Sequence, residues 1–475
     1  MTFSLKQDTA NNLSAKPEIT EQAKTLIDET FHNRVATLGQ LVRIPGIAWE
    51  AFDPANLDRS AEAVAKLFED TGVFDSVEIK TASVDGKPGS PAVLAHRAAK
   101  NGKPHVLLYA HHDVQPPGDE ALWESPAFEP TAKDGRIFGR GAADDKAGIM
   151  AHIAAIEALR DSQGEDFDLG LSVFIEGEEE AGSRTFRAFL DENQQKLAAD
   201  VIIVADSMNW APDVPALTVS LRGNVTQIFT IRTMEHAVHS GMFGGAVPDA
   251  MIPMVRVLAS LHDEQGNVAI EGLKSISFQE LPYSEENLRN DSSLLPGVSQ
   301  IGEGSIMDRL WGKSSLTVIG IDYPSVAVSS NTILPSASAR LSLRVAPGQD
   351  PDEALDLLRK HLIANTPFGA EISFGEYETG KAFLADSSGW ASKLALSSLS
   401  SAFGNPAVEI GIGGSIPFIA DLTEVFPDAQ ILVTGVEDSD SRAHSPNESI
   451  HLAGLKNAMV AEAVFLISCN ELESN

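Results

Sequence analysis

Four short apolar runs constrain the fold of this 475-residue chain more than any other feature. Residues 106–109 and 201–204 are continuously apolar, 171–175 and 431–434 are apolar but for Ser172 and Thr434, and all four read as buried strands. The first leads to His111 and Asp113, the second to Glu179 and Glu180, the third to Asp206, and the fourth to a loop that ends at His444. In an open α/β sheet, ligands gather beyond the carboxyl ends of the strands, so residues far apart in sequence converge on one edge. Any one of these acids alone is an ordinary turn former or helix cap. Their joint arrangement points to a site.

Between the runs the chain has helical periodicity. Helices are expected over 21–42, closed by Pro45-Gly46, over 57–72, and over 148–159, 387–403 and from about 453 onward, with further strands at 77–80 and 92–96. This alternation predicts an α/β fold, a mixed sheet with helices on both faces. From residue 217 the style changes: 216–220, 226–233 and 337–345 alternate as strands with one solvated face do, with helices at 250–261 and 351–364 and a polar, irregular stretch at 271–311. The length exceeds what one simple core supports. The expected division is a catalytic domain of residues 1–216 and 379–475, and an inserted α+β domain of residues 217–378.

A net charge of −32 repels phosphate backbones and anionic lipid, so neither nucleic acid nor a membrane is an expected partner. The single cysteine, Cys469, excludes an intrachain disulfide and a Cys-rich zinc site. Residues 1–20 have no apolar core of signal-peptide length, and no other stretch reads as a bilayer span. The expected location is the cytoplasm.

On an extended backbone His111 and Asp113 point the same way, which suits a ligating imidazole oriented by a carboxylate. Two histidines, several carboxylates and no thiols suit a hydrolytic site with two divalent metals about 3.5–4 Å apart. Adjacent Glu179 and Glu180 allow one to ligate while the other faces the attacking water.

The motifs A-H-H-D-V-Q-P, G-R-G-A-A-D-D-K, E-G-E-E-E-A-G-S, H-S-G-M-F-G-G, N-T-I-L-P, G-G-S-I-P and A-H-S-P-N-E span most of the chain. Together they make it resemble the co-catalytic dimetal metallopeptidases: carnosinase-type dipeptidases, aminoacylases and succinyl-diaminopimelate desuccinylase, with the dipeptidase branch nearest. The resemblance implies a zinc-exopeptidase-like catalytic domain, a lid and dimerisation domain, and a homodimer. It implies two divalent ions per subunit, Zn²⁺ before Mn²⁺ or Co²⁺. Asp144 would bridge both ions, with His111 and Asp206 on one, and Glu180 and His444 on the other. Asp113 would stand behind His111, and Glu179 would be the general base acting on the metal-bridging water. The peptide bond after Asp144 would be cis. His239 would reach the partner subunit's site and stabilise the oxyanion, and Arg344 would hold the substrate's terminal carboxylate. Asn331, Gly414 and Ser415 would be further substrate contacts.

The expected activity is hydrolysis of dipeptides with a free C-terminal carboxylate. The alternatives are an N-acyl-amino-acid amidohydrolase and a catalytically silent binding protein. Ile412 stands where some dipeptidase relatives have an acid before G-G-S-I-P. Asp145, Glu409, Glu448 or none of them then remains to meet a substrate amine. Glu176 and Glu178 read as turn and helix-start residues, and His32, His96, His112, His236 and His451 as core or surface histidines.

Overall fold

The computed structural model describes residues 13–414 and 417–473. The chain forms two compact units, one of Met1–Val219, Ala385–Ile410 and Asp421–Asn475, the other of Ser220–Leu384 with Gly411–Ala420. These bounds differ from the 217–378 expected for the insertion, for two local reasons. Strand Ala216–Leu221 is buried along its length and pairs through Thr218 with Val433, which keeps its start in the first sheet. Residues 411–420 go with the second unit, where the Arg222 guanidinium donates to the Gly413 carbonyl at 3.1 Å.

In the first unit the sheet runs Ser76–Lys80, Ala92–Arg97, Gly170–Glu176, His105–His111, Val201–Val204, Gln430–Val433, Ala216–Leu221. The four strands from Gly170–Glu176 to Gln430–Val433 are parallel and the flanking ones antiparallel. Strand Gly170–Glu176 is buried at every residue and His105–His111 at all but the first. That explains why Val106–Ala110 is apolar throughout and Leu171–Ile175 apolar but for Ser172, rather than alternating. Helices Pro17–Val42, Lys146–Gln163, Trp390–Phe403 and Leu452–Glu471 pack together beside this sheet. Helix Phe186–Leu197 adds Phe186 and Phe189, which pack on Phe174 and, for Phe186, on Tyr109. Contrary to the expectation of no span-like stretch, Leu452–Glu471 is long and apolar enough to cross a bilayer, with mean hydropathy 1.5. Its most apolar window is 72% buried within the protein, as befits a core helix.

At the amino ends of the strands, the His96 and His105 rings stack with centroids 5.4 Å apart, and Ser172 Oγ lies 2.8 Å from His105 Nε2. Burial first, and then the neighbouring His96, lower His105 to about 4. The unfolded chain, with a histidine near 6.5, therefore takes up a proton before the folded one does. The resulting stability is present above about pH 6.5 and is lost as pH falls toward 4, amounting to roughly 3 kcal/mol. Urea unfolding at pH 7 and pH 4.5 should show wild type losing more stability than His105→Asn by a large part of that amount. Equal losses would remove His105 as the cause.

In the second unit a four-stranded antiparallel sheet runs Ser315–Asp322, Ser336–Val345, Gly223–Arg232, Glu371–Gly380. Gly223–Arg232 and Ser336–Val345 pair over ten residues, from Gly223↔Val345 to Arg232↔Ser336. Their alternation sends Val225, Phe229, Ile231, Leu341 and Leu343 into a core with Met254 and Val257 of helix Met251–Ser260 and Leu355 and Leu358 of helix Pro351–Ala364. Asp350 caps that last helix by accepting from the Asp352 and Glu353 amides.

Candidate metal centre

The parallel strands end where the sequence places its acids and histidines. His111 closes its strand opposite Glu176, and Asp206 follows Val204 by two residues. Asp144 lies in a turn that only glycine can form at Gly141, with φ +78° and a built Cβ 2.5 Å from Val114 Cγ1. The Asp144–Asp145 peptide bond is cis. The loop to His444 packs tightly against the Asp206 loop, since a Cβ at Gly435 would fall 1.5 Å from the Ser207 carbonyl oxygen.

These loops bring the side chains together. His111 Nε2 lies 3.0 Å from Asp144 Oδ1, and His444 Nε2 lies 3.0 Å from Asp144 Oδ2 and 3.1 Å from Glu180 Oε2. The ligand atoms of His111, Asp144 and Glu180 fall within 4.8 Å of one another, as do those of His111, Glu179 and Asp206. One carboxylate thus faces a histidine with each oxygen, the geometry of a bridging ligand. Glu179, expected as a base alone, is also within ligand reach. Asp113 has a second task that the sequence did not suggest: its Oδ1 and Oδ2 accept from the Glu179 and Glu180 amides, each at 3.1 Å. Its own carbonyl oxygen is 3.1 Å from His111 Nδ1, with Oδ1 at 3.4 Å. Gln115 Nε2 donates to Glu180 Oε2 at 2.7 Å.

The electrostatics follow from burying acids together. Burial, with the charges of Asp144 and Glu180 adding to it, lifts Asp206 to about 7. Burial followed by Asp206 lifts Glu179 well above its ordinary range. Burial opposes charge at Asp144 too, but hydrogen bonds from His111 and His444 outweigh it and hold that carboxyl low. A pocket of mutually repelling carboxylates with two imidazoles and no thiolate fits a pair of divalent cations, whose charge would reverse the upward shifts of Asp206 and Glu179.

Several functional supports were not evident in the sequence. Glu448, a candidate for a substrate amine, is 0% exposed and committed internally. Its Oε1 accepts from the Ala143 and Asp144 amides at 3.0 and 3.1 Å, and its Oε2 from the Gly141 amide at 3.0 Å and Arg140 Nη1 at 2.6 Å. Asp145 is 1% exposed, with Oδ2 accepting from the His111 amide, so it too is withdrawn from that role. Arg136 grips Asp438 with two 3.0 Å contacts, so Arg136 and Arg140 pin both ends of the loop that carries His444. Glu176 is no turn residue: it is buried in its strand, accepts from the Tyr109 hydroxyl at 2.7 Å, and is raised by burial to about 8. Glu178 does shape the turn, accepting from the Ser90 and Thr185 amides. Glu437 was overlooked. Burial, then Asp144 and Asp206, push its carboxyl well above its ordinary range.

The remaining candidates belong to the second unit. His239 is exposed and its Nδ1 accepts from the Gly241 amide at 3.0 Å, capping Ser240–Phe243. Its neighbour Ser240 donates to the Asn331 carbonyl at 3.0 Å, which places Asn331 beside it. Arg344 pairs in register with Asn224 and Ser315. Arg222, missed in the sequence, has its guanidinium lowered to about 10 by burial and by the charge of Arg344. Gly414 directly follows the Gly413 that Arg222 holds, and Ser415 lies outside the described residues. Among the histidines expected to be bland, His112 bonds the Pro91 carbonyl at 2.8 Å, His451 caps Leu452–Glu471, and His32 and His236 are exposed.

The profile of peptidase family M20/M25/M40 matches residues 107–467. A cysteinylglycine-S-conjugate dipeptidase of Corynebacterium striatum is 35% identical over 370 residues, 77% of this chain and 81% of that protein. A Beta-Ala-His dipeptidase of Rattus norvegicus is 26% identical over 423 residues, 84% of this chain and 85% of its own. The di-peptidase Dug1p of Saccharomyces cerevisiae shares the fold, with a TM-score of 0.72, 22% identity, and 95% of this chain and 98% of that one covered. With the fold, the paired histidines around Asp144 and these likenesses in agreement, the chain belongs to peptidase family M20/M25/M40.

Proposed function

We propose that the protein is a metal-dependent dipeptidase that cleaves dipeptides carrying a free C-terminal carboxylate. The observation that carries this reading is Asp144, whose two carboxylate oxygens each face a different histidine at 3.0 Å. In this reading two divalent ions, zinc first with manganese or cobalt as alternatives, would be held by Asp144 together with His111 and Asp206 for the one and Glu180 and His444 for the other. The ions supply Lewis acidity and a water of lowered pKa. Glu179 removes a proton from the water as its oxygen bonds to the amide carbon, and delivers that proton to the leaving nitrogen as the C–N bond breaks. Asp113 orients Glu179 through the backbone bond described above. His239 donates to the developing oxyanion in the partner's site, with Asn331, Gly414 and Ser415 as further substrate contacts. Glu437 or exposed Glu409 is left to meet a free amine.

A homodimer is part of the reading, the second unit acting as lid and dimerisation domain. It is supported by the edge strand Ser315–Asp322, where Val318, Ile319 and Ile321 are exposed, and by exposed Ile252 and Val255 on helix Met251–Ser260. A cytoplasmic location is included, supported by a single, buried, free cysteine. Dipeptides, and neither nucleic acid nor membrane, are the proposed partners, as the −32 net charge favours.

The carboxylate preference has its own test. Arg344 beside Arg222 makes a cationic spot suited to a carboxylate. Amidating the C-terminus of a good dipeptide substrate should lower kcat/KM by an amount worth about 2–5 kcal/mol, and Arg344→Ala should discriminate little between acid and amide. Equal rates for both forms on wild type would remove the clamp. Faster cleavage of N-acetylated amino acids than of free dipeptides in the same assay would favour the amidohydrolase instead.

A further inference from the structure

Within the second unit a pocket of about 330 Å³ opens beside the edge strand Ser315–Asp322. Part of its lining is apolar and continuous with the core of that unit. Ile270 and Leu316 are core residues, and Val268 and Leu273 pack against that core. The rest is polar and carries an excess of cations. Lys274, Arg309 and Lys313 line it with a single carboxylate, the exposed Glu303. The whole chain has the opposite balance, 35 lysines and arginines against 67 aspartates and glutamates. A concave place where that balance reverses favours an anionic ligand.

The acids around the pocket are committed elsewhere. Asp263 Oδ1 accepts from the Gln265 and Asn267 amides, and Asp308 Oδ1 from the Phe278 amide. Glu353 Oε2 lies 3.7 Å from Lys274 Nζ and accepts from Gln349 Nε2 at the shorter distance of 2.7 Å. The cations keep donors in reserve. Lys313 Nζ donates to the Glu303 carbonyl at 2.6 Å, which uses one of the three protons of an ammonium group. Arg309 spends Nη1 on the Ile301 carbonyl and Nη2 on Gln300 Oε1, yet its Nε is buried without a hydrogen-bond partner. Ser314 Oγ, also in the lining, is buried and unpartnered too. Orphaned buried donors are uncommon, and here two line one pocket.

The loops that form the pocket are tied to one another. The Gly302 amide donates to the Gln265 carbonyl at 2.8 Å, and the Glu303 amide to Asn267 Oδ1 at 2.9 Å. Gly302 has φ +81°, and a Cβ built there would stand 3.2 Å from Arg309 Cδ. The cationic wall is therefore in place before a ligand arrives.

We propose that this pocket binds a small organic anion, an apolar body carrying one carboxylate or phosphate head. The head meets Lys274, Lys313 and the donors of Arg309 and Ser314, and the body covers Ile270, Leu273 and Leu316. A bare inorganic ion leaves the apolar lining wet, and a neutral molecule leaves the cations unpaired. The site stands apart from the dipeptidase reading and does not depend on it.

Calorimetry on the metal-loaded full chain tests this with three probes: 3-phenylpropionate, phenyl phosphate and the neutral 3-phenylpropanamide. Wild type should bind the better anion with a dissociation constant below about 1 mM, and the amide at least ~10-fold more weakly. The tighter of the two anions identifies the head group. Lys274→Ala and Lys313→Ala should each weaken anion binding by at least ~5-fold while leaving the amide unchanged, and raised salt should weaken it further. Lys274 is exposed and has one 3.7 Å partner, so Lys274→Ala should fold and decides the outcome even where Lys313→Ala does not fold. Equal affinity for acid and amide, or no binding of either anion up to ~10 mM, overturns the site. So does anion binding that Lys274→Ala leaves unchanged, since the anion would then sit elsewhere, the metal centre included.

Discussion

Replacing Glu179 by Gln should leave metal content unchanged and lower turnover by at least ~10²-fold. The substitution keeps the shape of the side chain and the hydrogen bond that the residue 179 amide donates to Asp113, while removing the group that accepts the water's proton. The structure makes this experiment sharper than the sequence alone did. Glu179 shares a 4.8 Å cluster with His111 and Asp206, so ligation by Glu179 is a live geometric alternative. The contrast is Glu180→Gln, which alters a carboxylate already facing His444 at 3.1 Å and bonded to Gln115. Metal affinity should fall first in that variant. Elemental analysis of both proteins separates the two roles, and a Glu179→Gln protein that loses one ion would move Glu179 into the ligand set.

Glu448→Ala should destabilise the protein by roughly 3–5 kcal/mol, the range for breaking a buried charged pair. Four donors converge on this carboxylate, and truncation would strand the Arg140 guanidinium and the Gly141, Ala143 and Asp144 amides in a buried pocket. Because two of those amides belong to Asp144 and its neighbour, activity should fall along with stability. The same change at Glu462, a partner of buried His152 away from the turn, should affect stability without this loss of activity at permissive temperature. Denaturant unfolding that shows Glu448→Ala within about 1 kcal/mol of wild type would mean that the turn is held by other contacts.

The legible parts of the sequence were those where one physical signal dominated. Residues 106–109 and 201–204 are buried on both faces, so burial left a continuous apolar run, and the acids at their ends could be placed on one edge from topology alone. Strand Ser336–Val345 was legible because one face is core and the other is not. Helix Phe186–Leu197 escaped because its sequence is mostly polar, with burial confined to Phe186, Phe189, Leu190, Asn193 and Leu197. Strand Glu371–Gly380 escaped because it is an exposed edge whose alternation fades after Phe374.

The supports of the site were harder to read for a related reason. That Asp113 holds the Glu179 and Glu180 amides, or that Glu448 gathers four donors, depends on contacts between residues tens to hundreds of positions apart. A sequence clue did exist. The turn from Gly139 to Asp144 buries several amides without a helix or strand to satisfy them, and such a turn requires a buried acceptor from elsewhere. His444 gave no comparable warning, though it sits at φ +61°, a conformation rare for a residue with a side chain.

The central claim is a two-ion dipeptidase site, and titrating metal-stripped protein with Zn²⁺ or Mn²⁺ while following dipeptide hydrolysis tests it most directly. The expected result is negligible cleavage by the stripped protein, activity that rises with added ion, and saturation at two equivalents per chain. Full activity without added ion, or no hydrolysis of any dipeptide after two ions have bound, would contradict it.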